Sequence, residues 1–248
     1  MGRPSIFVGA PFSPELAMEV INRHRVTNIG ASPAWYRAMR AARMLEGEHK
    51  CNHALRVASA AGEPLNAAVI DWFEGHANVR IHDHYGQTEN GMLVINHQHL
   101  EAKATEPARA ARDRTTGMGV AMVGYSAVII DPETHAVLPA GAVGLLAINV
   151  PDSPLFWFGT AACGDGYHGQ TAASLDRFVG TNGRFYTTGD MCTMGEDGRF
   201  FYSARSDDII TSNAFRIGPF EVESAILKHD AVAEVAVVGL PDEQRGER

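Results

Sequence analysis

The sequence predicts an α/β layer followed by β-rich and α+β parts, and three observations carry this reading. Between residues 55 and 82 a short apolar run, a stretch with apolar residues at helical spacing and a second short run follow one another, as in a strand–helix–strand unit. After Gly91 the helical spacing gives way to short strand-like runs stopped by Asp131-Pro132 and Pro139-Ala140-Gly141, which points to a small antiparallel sheet or barrel. From residue 209 onward two short strands, a turn and a helix opening near Pro219 indicate a separate α+β part. The expected division is 1–115, 116–206 and 207–248, the last the start of a separate α+β part.

Taken in order, Ser13 and Pro14 have the form of a helix N-cap and first-turn proline, and Leu16, Val20 and Ile21 share the face that follows. Residues 26–29 read as a strand. Ser32 and Pro33 repeat the capping pattern ahead of a Trp35, Met39 and Ala42 stripe, with Arg37, Arg40 and Arg43 opposite it as a solvated face. A polar connection over 46–53 leads to a strand at 55–60. Gly62, Glu63 and Pro64 break that strand, Leu65, Val69, Trp72 and Phe73 then recur at helical spacing, and residues 78–82 alternate as the next strand. A right-handed crossover makes the two strands parallel. The loops 61–64 and 83–89 therefore leave neighbouring carboxyl ends, where open α/β sheets bind ligands. The stretch 81–91 holds two carboxylates, a hydroxyl and glycines and suits neither helix nor strand.

Residues 100–114 are polar and charged, loop with some helix. Strands are expected at 125–130, 136–138 and 144–150, and a hairpin joins 190–194 to 199–204 through a glycine-assisted turn. Strands at 209–211 and 215–217, a turn at Asn213, the helix from Pro219 and a strand at 232–238 complete the chain.

At 248 residues and 45% hydrophobic the chain can bury a sizeable core, and a net charge of -8 argues against nucleic acid as the main partner while leaving room for a local basic pocket. Cys51, Cys163 and Cys192 are odd in number with no CxxC spacing, which suits free thiols in a reducing compartment. No run of about 20 apolar residues and no signal-peptide pattern occurs, so the expected setting is the cytoplasm without a membrane partner.

Several motifs compete as sites of chemistry. His82 with His84, and His97 with His99, form two H-x-H pairs that on strands would share a face as in metallohydrolases; loop and surface histidines are the plainer reading, since no further ligand set completes a shell. Gly164, Gly166 and Gly169 match G-x-G-x-x-G, but no aliphatic strand precedes them, which favours a flexible loop. There is no G-x-S-x-G elbow and no Walker lysine motif.

Four segments together carry a resemblance: Gly62, Glu63, Pro64; Asp83, His84, Tyr85, Gly86, Gln87, Thr88, Glu89; Tyr186, Thr187, Thr188, Gly189, Asp190; and 205–208 running on to 215–223, which includes Arg216. In this order they resemble the adenylate-forming superfamily, and most of all its acetyl- and medium-chain acyl-CoA synthetases. The resemblance implies the later part of a large adenylation domain followed by part of a small C-terminal one. It implies that Gly62, Glu63 and Pro64 line the adenine, with Asp83 near its amino group and His84, Tyr85, Gly86 and Gln87 in the same nucleotide-binding loop. Thr88 would bond the α-phosphate, Glu89 would bind magnesium, Asp190 would hold the ribose hydroxyls together with Arg205, and Arg216 would reach the phosphate or ribose side. Thr88, Glu89 and Arg216 are the implied catalytic set. These are suitable groups, since a carboxylate accepts hydroxyls, guanidinium matches phosphate and magnesium prefers oxygen. Without the resemblance, Asp190 and Asp208 would read as turn and cap residues, and Arg205 and Arg216 as surface ion pairs.

The implied activity is ATP-dependent activation of a small carboxylic acid to an acyl-adenylate and its transfer to coenzyme A, with ATP, magnesium and coenzyme A as cofactors. Relatives carry a phosphate loop ahead of the matched region and a catalytic lysine beyond it, so the expectation is a fragment, inactive by itself. A carrier-protein loading domain and a non-catalytic nucleotide-binding or interaction module are the alternatives. Relatives also turn the small domain about an aspartate that matches Asp207. Gly86 stands where acetate-specific relatives carry a bulky aromatic, which predicts room for a longer acid beside Ala61, unless loop geometry alone demands the glycine. Ala214 replaces a glycine that in relatives borders the pantetheine channel.

Overall fold

Two Ser-Pro dipeptides start the first helices. In the computed structural model, which describes residues 4–47, 54–96, 117–158, 166–167, 171–213, 215–229, 231–232, 234–242 and 244–248, helix α1 spans Pro14–Arg23, strand β1 Asn28–Ala31 and helix α2 Pro33–Ala41. Ser13 Oγ accepts the Leu16 N–H at 3.1 Å and Ser32 Oγ that of Trp35 at 3.3 Å, caps worth about 1 kcal/mol each. Strand β2 (Val57–Ala60), helix α3 (Ala67–Ala77) and strand β3 (Ile81–Asp83) follow. The three strands form a parallel sheet in the order β1-β2-β3, as the crossover rule requires. Tyr36 and Phe73 from α2 and α3 meet edge to face at 5.2 Å in its core, and the Tyr36 hydroxyl donates to Ser59 O on β2.

The stretch expected to be loop over 83–89 is a hairpin. Strand β4 (Tyr85–Gln87) pairs antiparallel with β5 (Gly91–Ile95) across a turn at 88–90, and β5 pairs onward with β6 (Val120–Ala121). Asn90 makes the turn: its Oδ1 accepts the Gln87 N–H at 3.0 Å, and Gly91 supplies φ +64°. A bulge between Tyr85 and Gly86 brings the strands so close that a Cβ on Gly86 would lie 2.0 Å from Gly91 O.

Strands β7 (Ala127–Ile130) and β8 (Val143–Asn149), a short helix α4 (Thr171–Leu175), strands β9 (Phe178–Val179), β10 (Phe185–Met194) and β11 (Phe200–Arg205) build an antiparallel sheet in the order β11-β10-β8-β7, with β9 beside β10. The sheet is open among the described residues, so the barrel alternative gives way to the sheet. Leu146, Ile148, Tyr186, Cys192 and Phe200 fill its core, with Cys192 a buried free thiol.

Beyond it, β12 (Ile210–Ser212) pairs with β13 (Phe215–Ile217), and helix α5 (Pro219–Ile226) follows. The strand expected at 232–238 is not formed in its described residues. There the Val237 N–H is taken by Glu223 Oε1 at 3.0 Å rather than by a ladder, and the edge of β12 is met instead by β15 (Gly246–Glu247), itself paired with β14 (Pro241–Asp242). Other expectations shift: β1 begins two residues later than its apolar run, and β10 starts five residues earlier than expected. Residues 100–114, Cys51, Cys163, His97, His99, Gly164, Gly169 and Ala214 lie outside the described residues. Where the chain is described, no helix is long and apolar enough to cross a membrane.

Candidate functional site

The carboxyl ends of β2 and β3 open onto a cleft of about 330 Å³, within the usual range for small-molecule sites. Gly62, Glu63 and Pro64 from the loop after β2, Asp83, His84, Tyr85, Gly86 and Gln87 from β3 and β4, and Asp190 and Arg205 from β10 and β11 line it. Ten of the residues singled out in the sequence are thus brought together from segments more than 100 positions apart. Met118 and Tyr202 line the cleft as well and went unnoticed. Tyr202 stands in the same two-residue period as Phe200 and Ala204 along β11 and is legible from that period, whereas Met118 carries no sequence signal.

The arrangement around Asp190 follows from Thr188-Gly189-Asp190. Between Thr187 and Met191, β10 slips against β8, so these three residues leave the ladder as a bulge. Gly189 adopts φ +80°, and Thr188 Oγ1 substitutes for the missing ladder bonds by donating to Leu146 O at 2.8 Å and accepting the Asp190 N–H at 3.2 Å. The bulge aims Asp190 into the cleft, its side chain 6% exposed. There its Oδ2 accepts the Tyr85 hydroxyl and Gln87 Nε2 at 3.0 Å, and its Oδ1 accepts Arg205 Nη1 at 3.3 Å. Burial raises the Asp190 carboxyl above its ordinary range, and Tyr85 and Arg205 pull it back. Turn or cap duty does not describe this residue.

Asp83 is the opposite case. It is 7% exposed at the end of β3, and its Oδ1 has no hydrogen-bond partner. Burial pushes its carboxyl well above the ordinary range, against a lesser pull from the His84 N–H. An unpaired buried acceptor costs about 1–3 kcal/mol, so a donor supplied by a ligand would be rewarded. Asn96 fixes the backbone beside it, donating from Nδ2 to Asp83 O at 2.6 Å and from its N–H to His84 Nδ1 at 3.1 Å. His84 therefore serves as an acceptor, and His82 is buried at 8% exposure rather than a surface histidine.

Glu63 points its carboxylate at α2. Its Oε1 accepts the Ala34 N–H at 2.8 Å and its Oε2 pairs with Arg37 at 2.6 Å, which anchors the 62–64 loop to the helix start. Arg37 accordingly belongs to this anchor and not to a solvated face. Thr88, Glu89 and Arg216 do not line the cleft. Thr88 is exposed at the hairpin turn next to Gln87, Glu89 accepts the Tyr167 hydroxyl at 2.7 Å, and Arg216 is exposed on β13. Among the described residues no group of three or more His, Cys, Asp or Glu is placed to hold a metal ion.

The AMP-binding enzyme family matches residues 2–152, and the C-terminal domain of AMP-binding enzymes matches residues 221–248. The chain belongs to the AMP-binding enzyme family. This AMP-binding enzyme chain is 34% identical over 238 residues to acyl-coenzyme A synthetase ACSM4, mitochondrial, of Homo sapiens, covering 96% of this chain and 37% of that protein. Among solved structures it is similar to the acyl-CoA synthetase of Brucella canis, with 39% identity and a TM-score of 0.65 over 99% of this chain and 41% of that one. It is also similar to the anthranilate CoA ligase AuaEII in complex with anthranoyl-AMP, with 26% identity and a TM-score of 0.75 over 98% and 42%. The chain thus spans well under half the length of each relative.

Proposed function

We propose that the cleft binds the nucleotide of an AMP-forming carboxylate:CoA ligase. The observation that carries this reading is a cleft lined by Asp83, whose buried Oδ1 has no partner, together with Asp190 and Arg205. An exocyclic amino group is the donor Asp83 lacks, Pro64, Tyr85, Met118 and Tyr202 offer apolar walls for a flat base, and Asp190 accepts from ribose. The chain division 1–115, 116–206 and 207–248 belongs to the same reading, with the cleft between the first two parts and Asp207 as the hinge to the third.

In the first half-reaction a substrate carboxylate oxygen forms a bond to the α-phosphorus of ATP as the bond to pyrophosphate breaks. In the second, a thiolate sulfur attacks the acyl carbon and AMP leaves. Neither step needs a protein nucleophile, so the protein contributes positioning and charge compensation. Thr88, at the turn beside Gln87, is assigned to the α-phosphate, and Arg216 to the phosphate or ribose side once β13 approaches the cleft. Glu89, a carboxylate with one oxygen engaged by Tyr167, suits magnesium, which is commonly held by one or two carboxylates plus substrate phosphates. When bound, the ion would neutralise phosphate charge. Coenzyme A is the acceptor in this reading, and the scattered cysteines suit a reducing compartment such as the cytoplasm.

Calorimetric titration of the 248-residue chain with AMP tests the proposal. Binding that weakens about tenfold in Asp83→Ala and in Asp190→Asn is expected, for the loss of one charge-assisted bond. Equal affinity in all three proteins would refute the nucleotide site.

A further inference from the structure

Two guanidinium groups meet at Gly189. A Cβ on this residue would lie 2.9 Å from Arg177 Nη1 and 3.1 Å from Arg205 Nη2, so only a residue without a side chain lets both approach this point of the backbone. Both come from the edge of β10 away from β8, where β9 pairs ahead of the bulge and β11 after it. Arg205 closes β11, across from Asp190. Arg177 follows α4, and its carbonyl accepts the N–H of Thr187 at 2.8 Å and its Oγ1 at 3.1 Å, which fixes it two residues ahead of Gly189.

The charge of Arg205 is compensated and that of Arg177 is not. Arg205 Nη1 meets Asp190 Oδ1 at 3.3 Å, and its Nε meets Asp207 Oδ1 at 3.2 Å. Arg177 is half-buried and pairs with no carboxylate among the described residues; its neighbour is the Tyr167 hydroxyl, which itself donates to Glu89 Oε1 at 2.7 Å. Arg177 thus links Arg205, which lines the cleft, to the hairpin turn that carries Thr88 and Glu89. Two like charges at a partly desolvated point repel unless an anion lies within reach, and guanidinium donors match phosphate oxygens.

We propose that Arg177 binds a phosphoryl group of the nucleotide, as a second guanidinium beside Arg205. This rests on the nucleotide reading above and extends it to a residue outside the four segments that carry the family resemblance. A guanidinium that only braced the Gly189 bulge would serve every ligand alike, with or without phosphate.

The test compares the dissociation constants of adenosine, AMP and ATP for the unchanged chain, Arg177→Gln and Arg177→Lys. In Arg177→Gln, ATP should bind about tenfold more weakly while adenosine stays within about twofold, for the loss of one charge-assisted bond. An equal loss for AMP assigns the guanidinium to the α-phosphate, and an unchanged AMP affinity assigns it to the β- or γ-phosphate. Arg177→Lys keeps the charge without the planar fork and should cost ATP about threefold, so it gives the answer if Arg177→Gln does not fold. A loss shared equally by adenosine, or no loss for either phosphate-bearing ligand in a folded variant, would overturn the inference and leave the nucleotide reading standing. If the unchanged chain binds none of the three ligands, the nucleotide reading itself falls, and this inference with it.

Discussion

At the scale of the residue, Asp83 and Asp190 show how one residue type takes two roles. Asp190 is compensated by three donors, whereas Asp83 keeps an oxygen with no partner, and burial raises both carboxyls. A carboxyl whose folded-state value is raised holds its proton more tightly folded than unfolded. Its ionisation therefore opposes folding, and stability declines as pH rises from about 4, the unfolded carboxylate value, through the raised one. Asp83→Asn removes that charge, so its thermal midpoint should vary less between pH 4.5 and 8 than that of the unchanged chain; parallel curves would show that Asp83 is not ionised at a cost. The sequence revealed both aspartates through the family resemblance but not their difference, which depends on neighbours 100 positions away. Arg37 was misread for the same reason, since a helical period places it opposite the core stripe and cannot show Glu63 arriving from the next crossover.

At the scale of the element, two backbone departures aim the site, the β4–β5 hairpin and the β10 bulge. Gly86→Ala would set a methyl carbon 2.0 Å from Gly91 O, a backbone atom with nowhere to go, and should cost about 3 kcal/mol in a denaturant titration. A cost below about 0.5 kcal/mol, as for an ordinary surface substitution, would show that the hairpin is not closed as described. The close approach accounts for a glycine at position 86 by loop geometry, and it leaves the acyl-pocket reading to a measurement of chain-length preference. Glu63 adds a third device: Glu63→Ala removes an N–H acceptor at the start of α2 and a half-buried ion pair, and unfolding should be easier by about 1–2 kcal/mol. Unchanged stability would show that the loop is not anchored to α2. The helices and the parallel strands were legible because caps and 3.6-residue spacing are local. The hairpin was hidden by its polar residues, although Asn90-Gly91 is a turn signal, and the 232–238 segment was overread because an apolar run specifies a strand only when a partner edge is free.

At the scale of the whole molecule, the cleft is a meeting of the parallel sheet, the hairpin and the antiparallel sheet, with α5 against its outer side. Asn66, at the start of α3, gives its side chain to Ser224 Oγ at 3.0 Å in place of a cap, and Tyr202 backs onto Phe220 at 5.8 Å. Ser224→Ala should speed hydrogen exchange of the α5 amides about fivefold, the equivalent of about 1 kcal/mol, and no change would mean that this bond does not hold α5 in solution. Such long-range docking leaves no trace in periodicity, which is why the local elements are legible in the sequence while their convergence shows only in the family pattern or the fold itself. Segments around positions 62, 83–87, 190 and 205 line one cleft, proposed above to cradle a nucleoside monophosphate. A crystal structure of the chain grown with AMP tests it most directly. The purine amino group is expected within hydrogen-bond reach of Asp83 and a ribose hydroxyl on Asp190; AMP seated elsewhere, or touching only one of the two aspartates, would refute a shared nucleotide site.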